Sequence, residues 1–75
     1  MDKLKSIKQL GEMVAQKRKE LKLPQKQLAG LSDVGVRFIS DLENGKATIE
    51  LGKTLKVLKM LGLDLAIQQR SLTNA

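Results

Sequence analysis

The segment PQKQLAGLSDVGVRFISDLENGK, residues 24–46, contains two short helical patterns on either side of the tight turn Asp33-Val34-Gly35. Isolated helices of fewer than about 12 residues are marginal in water, so neither pattern is expected to form a stable helix alone. Both must be held by apolar contacts with other parts of the chain. The segment therefore predicts a compact unit whose two helices depend on their neighbours for support.

Capping signals and the spacing of apolar residues predict four helices in this chain of 75 residues. The predicted elements are a first helix from Ser6 to about Lys22, a second from Pro24 as its first residue to about Ser32, a third that follows an N-cap at Gly35 and ends at Asn44-Gly45, and a fourth from Thr48 to Gly62. The expected apolar faces are Ile7, Leu10, Val14 and Leu21; Leu28, Ala29 and Leu31; Phe38, Ile39 and Leu42; and Leu51, Leu55, Leu58 and Leu61. Three glycines inside these patterns, Gly11, Gly30 and Gly52, indicate places where helices approach one another closely.

The period of the pattern changes after Gly62, where Leu63, Leu65 and Ile67 alternate with other residues. This alternation predicts one half-buried β-strand over residues 63–69. A solitary strand leaves backbone donors and acceptors unpaired, so it needs a partner strand, which a second copy of the chain supplies. The expected organisation is one domain over residues 1–75, with a helical core over about 6–62 and a C-terminal dimerisation strand.

The charge of the chain favours a polyanionic partner. Fourteen Lys and Arg residues against eight Asp and Glu residues give a net charge of +6, although ordinary solvated surfaces also have such a balance. Phe38 is the one aromatic residue, so the chain lacks the stacking platforms that bind single-stranded nucleic acids. Duplex DNA is therefore the better candidate.

Several classes of site are excluded by composition. There are no cysteines and no histidines, which rules out a disulfide framework, a Cys/His zinc site and His-based catalysis. Asp41 and Glu43 are close in sequence, but side chains at i and i+2 of a helix do not face one another, so they form no acid–base pair. We expect no enzyme activity, cofactor or metal. With no apolar run of about 18 residues and no signal-type stretch, a cytoplasmic protein is expected.

Two short helices joined by a tight turn form a rigid wedge, and an α-helix fits the major groove of B-DNA, so the segment predicts a helix-turn-helix. The residues that carry this motif are Gln25, Leu28-Ala29, Val34, Phe38-Ile39-Ser40, Leu42-Glu43 and Gly45-Lys46. With these residues the chain resembles the Xre/Cro-type family of phage repressors and bacterial regulators, and with the alternating tail it is similar to the HipB-type antitoxins. The resemblance implies an all-α, lambda-repressor-like domain of four to five helices, with a short C-terminal β-strand that pairs across a dimer through Leu63, Leu65 and Ile67.

The resemblance also implies base-reading residues on the third helix. Val36, Arg37 and Ser40 occupy the outward positions at which family members reach base edges. An arginine can donate two parallel hydrogen bonds to guanine O6 and N7, a valine can touch a thymine methyl group, and a serine can serve a base or a phosphate.

Other residues are expected to contact phosphates or to position the reading helix. The resemblance implies that Gln25 contacts a phosphate and braces the third helix, and that Lys46 and, more weakly, Lys26 lie near phosphates. Gly35 has no side chain, so only its backbone amide is available to contact a phosphate. Arg18 and Glu43 are expected to form a structural ion pair that fixes the orientation of the helix-turn-helix.

The chain departs from the family pattern at four positions. Pro24 replaces a common Thr or Ser, and Gly35 replaces a common Ser, so two hydroxyl groups are absent. Asp33 replaces a frequent Gly in the turn, and Asp41 adds a negative charge to the reading helix. These changes weaken the expected affinity of one copy for DNA, which favours a dimer.

The resemblance implies a sequence-specific repressor that binds duplex DNA as a homodimer on an inverted-repeat operator. It further implies an antitoxin that autoregulates a HipBA-like operon, with a HipA-like kinase toxin as partner, located in the cytoplasm of a bacterium and on the nucleoid when DNA is bound. Two alternatives remain open. The chain is a stand-alone Xre-type regulator, or it is a protein-interaction module that inhibits a partner enzyme without DNA.

Overall fold

A computed structural model describes residues 4–67 and 69 of the chain. This part contains four helices, as the sequence predicts: α1 (Ile7–Glu20), α2 (Gln25–Ser32), α3 (Val36–Glu43) and α4 (Leu51–Met60). Helix α1 packs against α3, and α2 packs against both α3 and α4. None of the four helices is both long and apolar enough to cross a membrane. The described fold is therefore all-α.

Local signals place the ends of the first two helices close to the predicted bounds. The Ser6 hydroxyl accepts a hydrogen bond from the backbone N–H of Gln9 at 3.0 Å and so caps α1. The chain leaves the helical conformation at Lys22, whose φ is 57°. Pro24 is the N-cap of α2 and not its first helical residue, because its ψ of 154° is extended.

Helix α4 begins three residues later than predicted, at Leu51 instead of Thr48. The reason is Glu50, the residue before Leu51. The Glu50 carboxylate accepts a hydrogen bond from the backbone N–H of Gly52 at 2.7 Å and so supplies the cap. A carboxylate at this end is also favoured by the helix dipole.

The core consists of apolar side chains from all four helices, with Leu61 just after α4. Its buried members are Leu10, Val14, Leu28, Ala29, Ile39, Leu42, Val57, Leu58 and Leu61. Some predicted core residues lie outside it: in the first half of the chain Leu21, just after α1, is 46% exposed and Leu31 is 54% exposed. Leu31 points away because the inward face of α2 is formed by Leu28, Ala29 and Ser32.

The predicted inward face of α4 is partly wrong. Leu51 is 61% exposed and Leu55 is 45% exposed, whereas Thr54 and Val57 are fully buried. Burial of Thr54 leaves no polar group unpaired, since its hydroxyl donates to the Glu50 carbonyl at 2.9 Å. The helix is rotated relative to the prediction, and two leucines face outward.

Close helix approach explains one of the three helical glycines. A Cβ atom on Gly11 would lie 2.3 Å from the Leu42 carbonyl oxygen, so α1 and the end of α3 touch through this glycine. The other two predictions are wrong. Gly30 has open space around it, and a Cβ on Gly52 would meet only the side chain of Glu50.

The predicted strand over residues 63–69 is not confirmed. Residues 63–67 and 69 have no regular secondary structure, and residue 68 lies outside the described part. A strand is defined by hydrogen bonds to a neighbouring strand, and the described residues of this one chain supply none. Leu63 packs partly against the core, while Leu65 is exposed and Ile67 is 97% exposed.

Candidate nucleic-acid interface

The turn between α2 and α3 is fixed by backbone hydrogen bonds around Asp33. This residue adopts the left-handed conformation, with φ 57° and ψ 48°, which Asp tolerates better than most residues. The N–H of Asp33 donates to the Gly30 carbonyl at 3.3 Å, and that of Val34 donates to the Ala29 carbonyl at 3.0 Å. Val34 also packs against the core, so the turn sets α3 rigidly against α2.

Helix α3 has an inward and an outward face. Ile39 and Leu42 are fully buried, whereas Val36 and Arg37 are exposed and Ser40 is partly exposed. Within the described residues Arg37 takes part in no hydrogen bond or ion pair. Its guanidinium group therefore keeps its five donors for a ligand.

Two further polar residues share this outward face. A helix turns by about 100° per residue, which puts Asp41 about 40° and Asn44 about 20° from Arg37 around the axis. From the sequence, Asp41 is identified only as an unfavourable charge, and Asn44 only as part of a helix cap. The spacing i, i+4, i+7 from Arg37 is the signal that identifies both. The Asn44 amide is held weakly, by donating to the Ser40 hydroxyl at 3.4 Å.

The inner side of the helix-turn-helix is tied together by Arg18. Its Nε donates to Glu43 Oε2 at 2.6 Å, and its Nη2 donates to Glu43 Oε1 at 3.0 Å. The third nitrogen, Nη1, donates to the Leu23 carbonyl at 2.8 Å. One side chain thus joins the end of α1, the loop before α2 and the end of α3. The two-pronged geometry is the strong form of such a pair.

Gln25 completes this network, because its Nε2 donates to Glu43 Oε1 at 3.0 Å. The first residue of α2 is thereby connected directly to the last residue of α3. A primary amide carries two hydrogens, so one N–H and the carbonyl oxygen of Gln25 are left for other partners. This contact ties the start of α2 to the end of α3.

The network changes the acidity of both charged groups. Burial raises the pKa of the Glu43 carboxyl, but the hydrogen bonds from Arg18 and Gln25, together with the positive charges of Arg18 and Lys19, lower it overall. The hydrogen bond to Glu43 raises the pKa of Arg18 above its ordinary value. Both side chains are therefore held in their charged forms at neutral pH.

Lys46, in the loop after α3, is attached to the reading helix at two points. Its backbone N–H donates to the Asp41 carbonyl at 3.0 Å, and its ammonium group lies 3.5 Å from the Asp41 carboxylate. The Lys46 side chain is 52% exposed, so this ion pair is loose and easily exchanged. Gly45, with a φ of 75°, supplies the turn before it.

The remaining site residues lie at the beginnings of the two helices. Lys26 is exposed on the first turn of α2. Gly35 is the N-cap of α3 without a side-chain hydrogen bond, and a Cβ there would find open space. Its N–H has no hydrogen-bond partner within the described residues.

Comparison with known proteins places this geometry in a family. The family model for helix-turn-helix domains matches residues 14–68. An uncharacterized HTH-type transcriptional regulator, y4mF of Sinorhizobium fredii, is 46% identical over 65 residues, which are 87% of this chain and 86% of that protein.

Solved structures show the same fold. A chain of the HipA-HipB-O2-O3 complex has a TM-score of 0.84, and a chain of the HipB-O4 20mer complex has a TM-score of 0.83. Each is 24% identical to this chain, and each comparison covers 95% of this chain and 100% of the other. With its HipB-like fold and the family match over most of its length, the chain belongs to the Xre-type helix-turn-helix family.

Proposed function

We propose that this protein is a sequence-specific repressor of transcription that binds duplex DNA as a homodimer. The observation that carries the proposal is the outward face of α3, where Arg37 is exposed and engages no other described residue. The α3 helix behind it is braced by the hydrogen bonds of Glu43 with Arg18 and Gln25. A rigid helix that presents an unengaged arginine suits readout of guanine in the major groove.

The phosphate contacts of the proposal surround this face. Lys46 follows α3, Lys26 lies on the first turn of α2, and the N–H of Gly35 stands at the start of α3. The unused amide N–H of Gln25 is a further donor to phosphate. Such contacts position a protein on the duplex without reading its sequence.

A dimer is supported by the tail. Leu65 and Ile67 are exposed, and residues 63–67 pair with no β-strand among the described residues. Antiparallel pairing of this segment with the same segment of a second copy satisfies the backbone and covers these side chains. Two reading helices then face major-groove segments about 34–36 Å apart, so the operator is an inverted repeat.

The likeness to HipB supports a more specific role. One of the similar chains belongs to a complex of HipA with HipB. We extend the proposal to an antitoxin that represses its own operon and binds a HipA-like kinase toxin encoded beside it. Copurification with the product of the adjacent open reading frame tests this part separately from DNA binding.

The DNA-binding proposal is tested by titrating the chain with a duplex of its upstream promoter at several salt concentrations. The expected result is a discrete shifted complex whose log K falls by about 0.9 for each phosphate contact per unit of log salt. A scrambled duplex of the same length is the matched control. Binding that is equal for both duplexes would overturn the sequence specificity, and no binding at low salt would overturn the proposal in favour of a protein-interaction module.

A further inference from the structure

The outward face of α3 carries a carboxylate for which the proposed function gives no role. Asp41 lies one helical turn after Arg37, and its side chain is 31% exposed. The other carboxylate of α3, Glu43, is turned inward to Arg18. Asp41 is thus the one acidic side chain that the described part of α3 presents on the side of Arg37.

The ion partner of Asp41 is a residue that DNA would compete for. The Lys46 ammonium group lies 3.5 Å away and is largely exposed. In a DNA complex the phosphates offer that group a stronger partner, since they are fully ionised and densely spaced. Transfer of Lys46 to a phosphate leaves the Asp41 carboxylate in the groove without its cation.

The carboxylate can then be satisfied by only some bases. Ionised carboxylates accept hydrogen bonds and donate none. In the major groove guanine and thymine present acceptors, whereas cytosine N4 and adenine N6 present amino donors. Every base pair carries one such amino group, so a pair oriented with that group toward Asp41 restores a partner to the carboxylate, whereas the reversed pair sets acceptor against acceptor.

Resting on the proposed DNA-binding function, we infer that Asp41 is a specificity-determining residue that selects an exocyclic amino group of the operator. The residue favours cytosine N4 or adenine N6 and penalises other sequences, so it acts by rejection as well as by attraction. The rise between Arg37 and Asp41 along α3 is about 6 Å. With base pairs about 3.4 Å apart, the selected base lies one or two steps from the pair that Arg37 reads.

The test is binding-site selection from a random duplex library with the full chain and two variants. Asp41→Ala removes the carboxylate. Asp33→Asn is the control, because it raises the net charge by the same amount from the turn and because Asn tolerates the left-handed conformation there. Both variants should bind random DNA more tightly than the unchanged chain, since each removes one negative charge near the phosphates.

Asp41→Ala should lose its base preference at one position of each half-site, where discrimination falls by roughly tenfold, and should keep the preference that Arg37 sets. Asp33→Asn should return the unchanged consensus. The base enriched at that position in the unchanged chain, cytosine or adenine, identifies which amino group is read.

The inference is overturned if Asp41→Ala returns the same consensus with the same ratio of operator to random binding. It is also overturned if the unchanged chain shows no base preference at any position within two steps of the pair read by Arg37. Should the unchanged chain select no sequence at all, the proposed function itself fails, and this inference fails with it.

Discussion

At the scale of single residues, Glu43 is, with Arg18, one of the two side chains that take part in three hydrogen bonds in the described structure. It accepts two hydrogen bonds from Arg18 and one from Gln25. The side chains of Arg18 and Glu43 are only 12% and 8% exposed, so the pair is largely withdrawn from water. Removing one partner strands a buried charge, whereas removing both does not.

We expect Arg18→Ala and Glu43→Ala each to lower the free energy of unfolding by about 3 kcal/mol, because each leaves the other charge without its partner. The double variant should lose less than the sum of the two, since no charge is then stranded. Arg18→Ala should cost slightly more, as it also removes the bond to the Leu23 carbonyl. Urea unfolding of the four proteins measures the cycle, with Lys56→Ala, an exposed position on α4, as control. Strictly additive losses would mean that the pair contributes no coupling.

The lowered pKa of Glu43 predicts a dependence of stability on pH. The folded-state pKa lies below the unfolded value of about 4.3, so the stabilisation is complete above that pH. It is lost as the pH falls through the folded pKa, where the carboxylate becomes protonated in the folded chain. The urea midpoint of the unchanged chain should therefore fall more steeply below about pH 4.3 than that of Glu43→Gln. Parallel curves for the two proteins would contradict this.

Prediction of the site from the sequence reached the residues but not all of their contacts. Arg18, Gln25 and Glu43 are identified by resemblance, because the helix-turn-helix fixes their positions. The bond between Lys46 and Asp41 depends on how the loop after α3 folds back, which residue types alone do not determine. Asp41 and Asn44, by contrast, follow Arg37 at helical spacing, so the sequence alone contains the signal that makes them its neighbours.

At the scale of elements, α4 shows where periodicity is insufficient. Its sequence contains two overlapping stripes, Leu51-Leu55-Leu58-Leu61 and Thr54-Val57-Leu58-Leu61. The first stripe is entirely apolar and is therefore the one predicted to face inward. The structure buries the second stripe, because the Glu50 cap fixes where the helix starts and Thr54 satisfies its hydroxyl on the Glu50 carbonyl. A polar residue that bonds within its own helix is easily mistaken for a surface residue.

The contact between α1 and α3 is tested by substituting glycines. Gly11→Ala should lower the free energy of unfolding by about 1–3 kcal/mol, because its Cβ would overlap the carbonyl oxygens of Leu42 and Glu43. Gly30→Ala is the matched control in a helix with open space, and it should raise stability by about 0.5–1 kcal/mol through helix propensity. Thermal unfolding of both variants measures these two changes in stability. A stabilised Gly11→Ala protein would show that the helices are not in close contact.

At the scale of the whole molecule, the predicted helices are confirmed, whereas the strand over residues 63–69 stays a prediction. Capping residues and apolar spacing act within one chain, so they specify α1 to α3 almost to the residue. A strand over residues 63–69 would require hydrogen bonds from another strand, and a single sequence does not show which chain provides it. In our proposal the tail holds the dimer together, and the dimer binds the operator. Loss of the tail is therefore expected to remove both properties.

Truncation after Gly62 should abolish dimerisation and leave a helical core that is folded but less stable, since Leu63 no longer packs on it. Ile67→Asp keeps the chain length and should give the same loss of dimer without loss of core stability, because this side chain is 97% exposed in the single chain. Sedimentation equilibrium measures the mass, and circular dichroism measures the helices. A dimer that persists in both variants would rule out the tail as its interface.

The central claim is that α3 reads DNA sequence through Arg37. The most direct measurement is titration of the selected operator and of its single-base variants with the unchanged chain, Arg37→Ala and Lys46→Ala, all at one salt concentration. Arg37→Ala should lose about 1–3 kcal/mol of discrimination at one position of each half-site, because a two-pronged contact with guanine is removed. Lys46→Ala should weaken binding to all duplexes by a similar factor, as expected of a phosphate contact. If Arg37→Ala bound the operator with unchanged affinity and the same order of preference among its variants, the account would be contradicted.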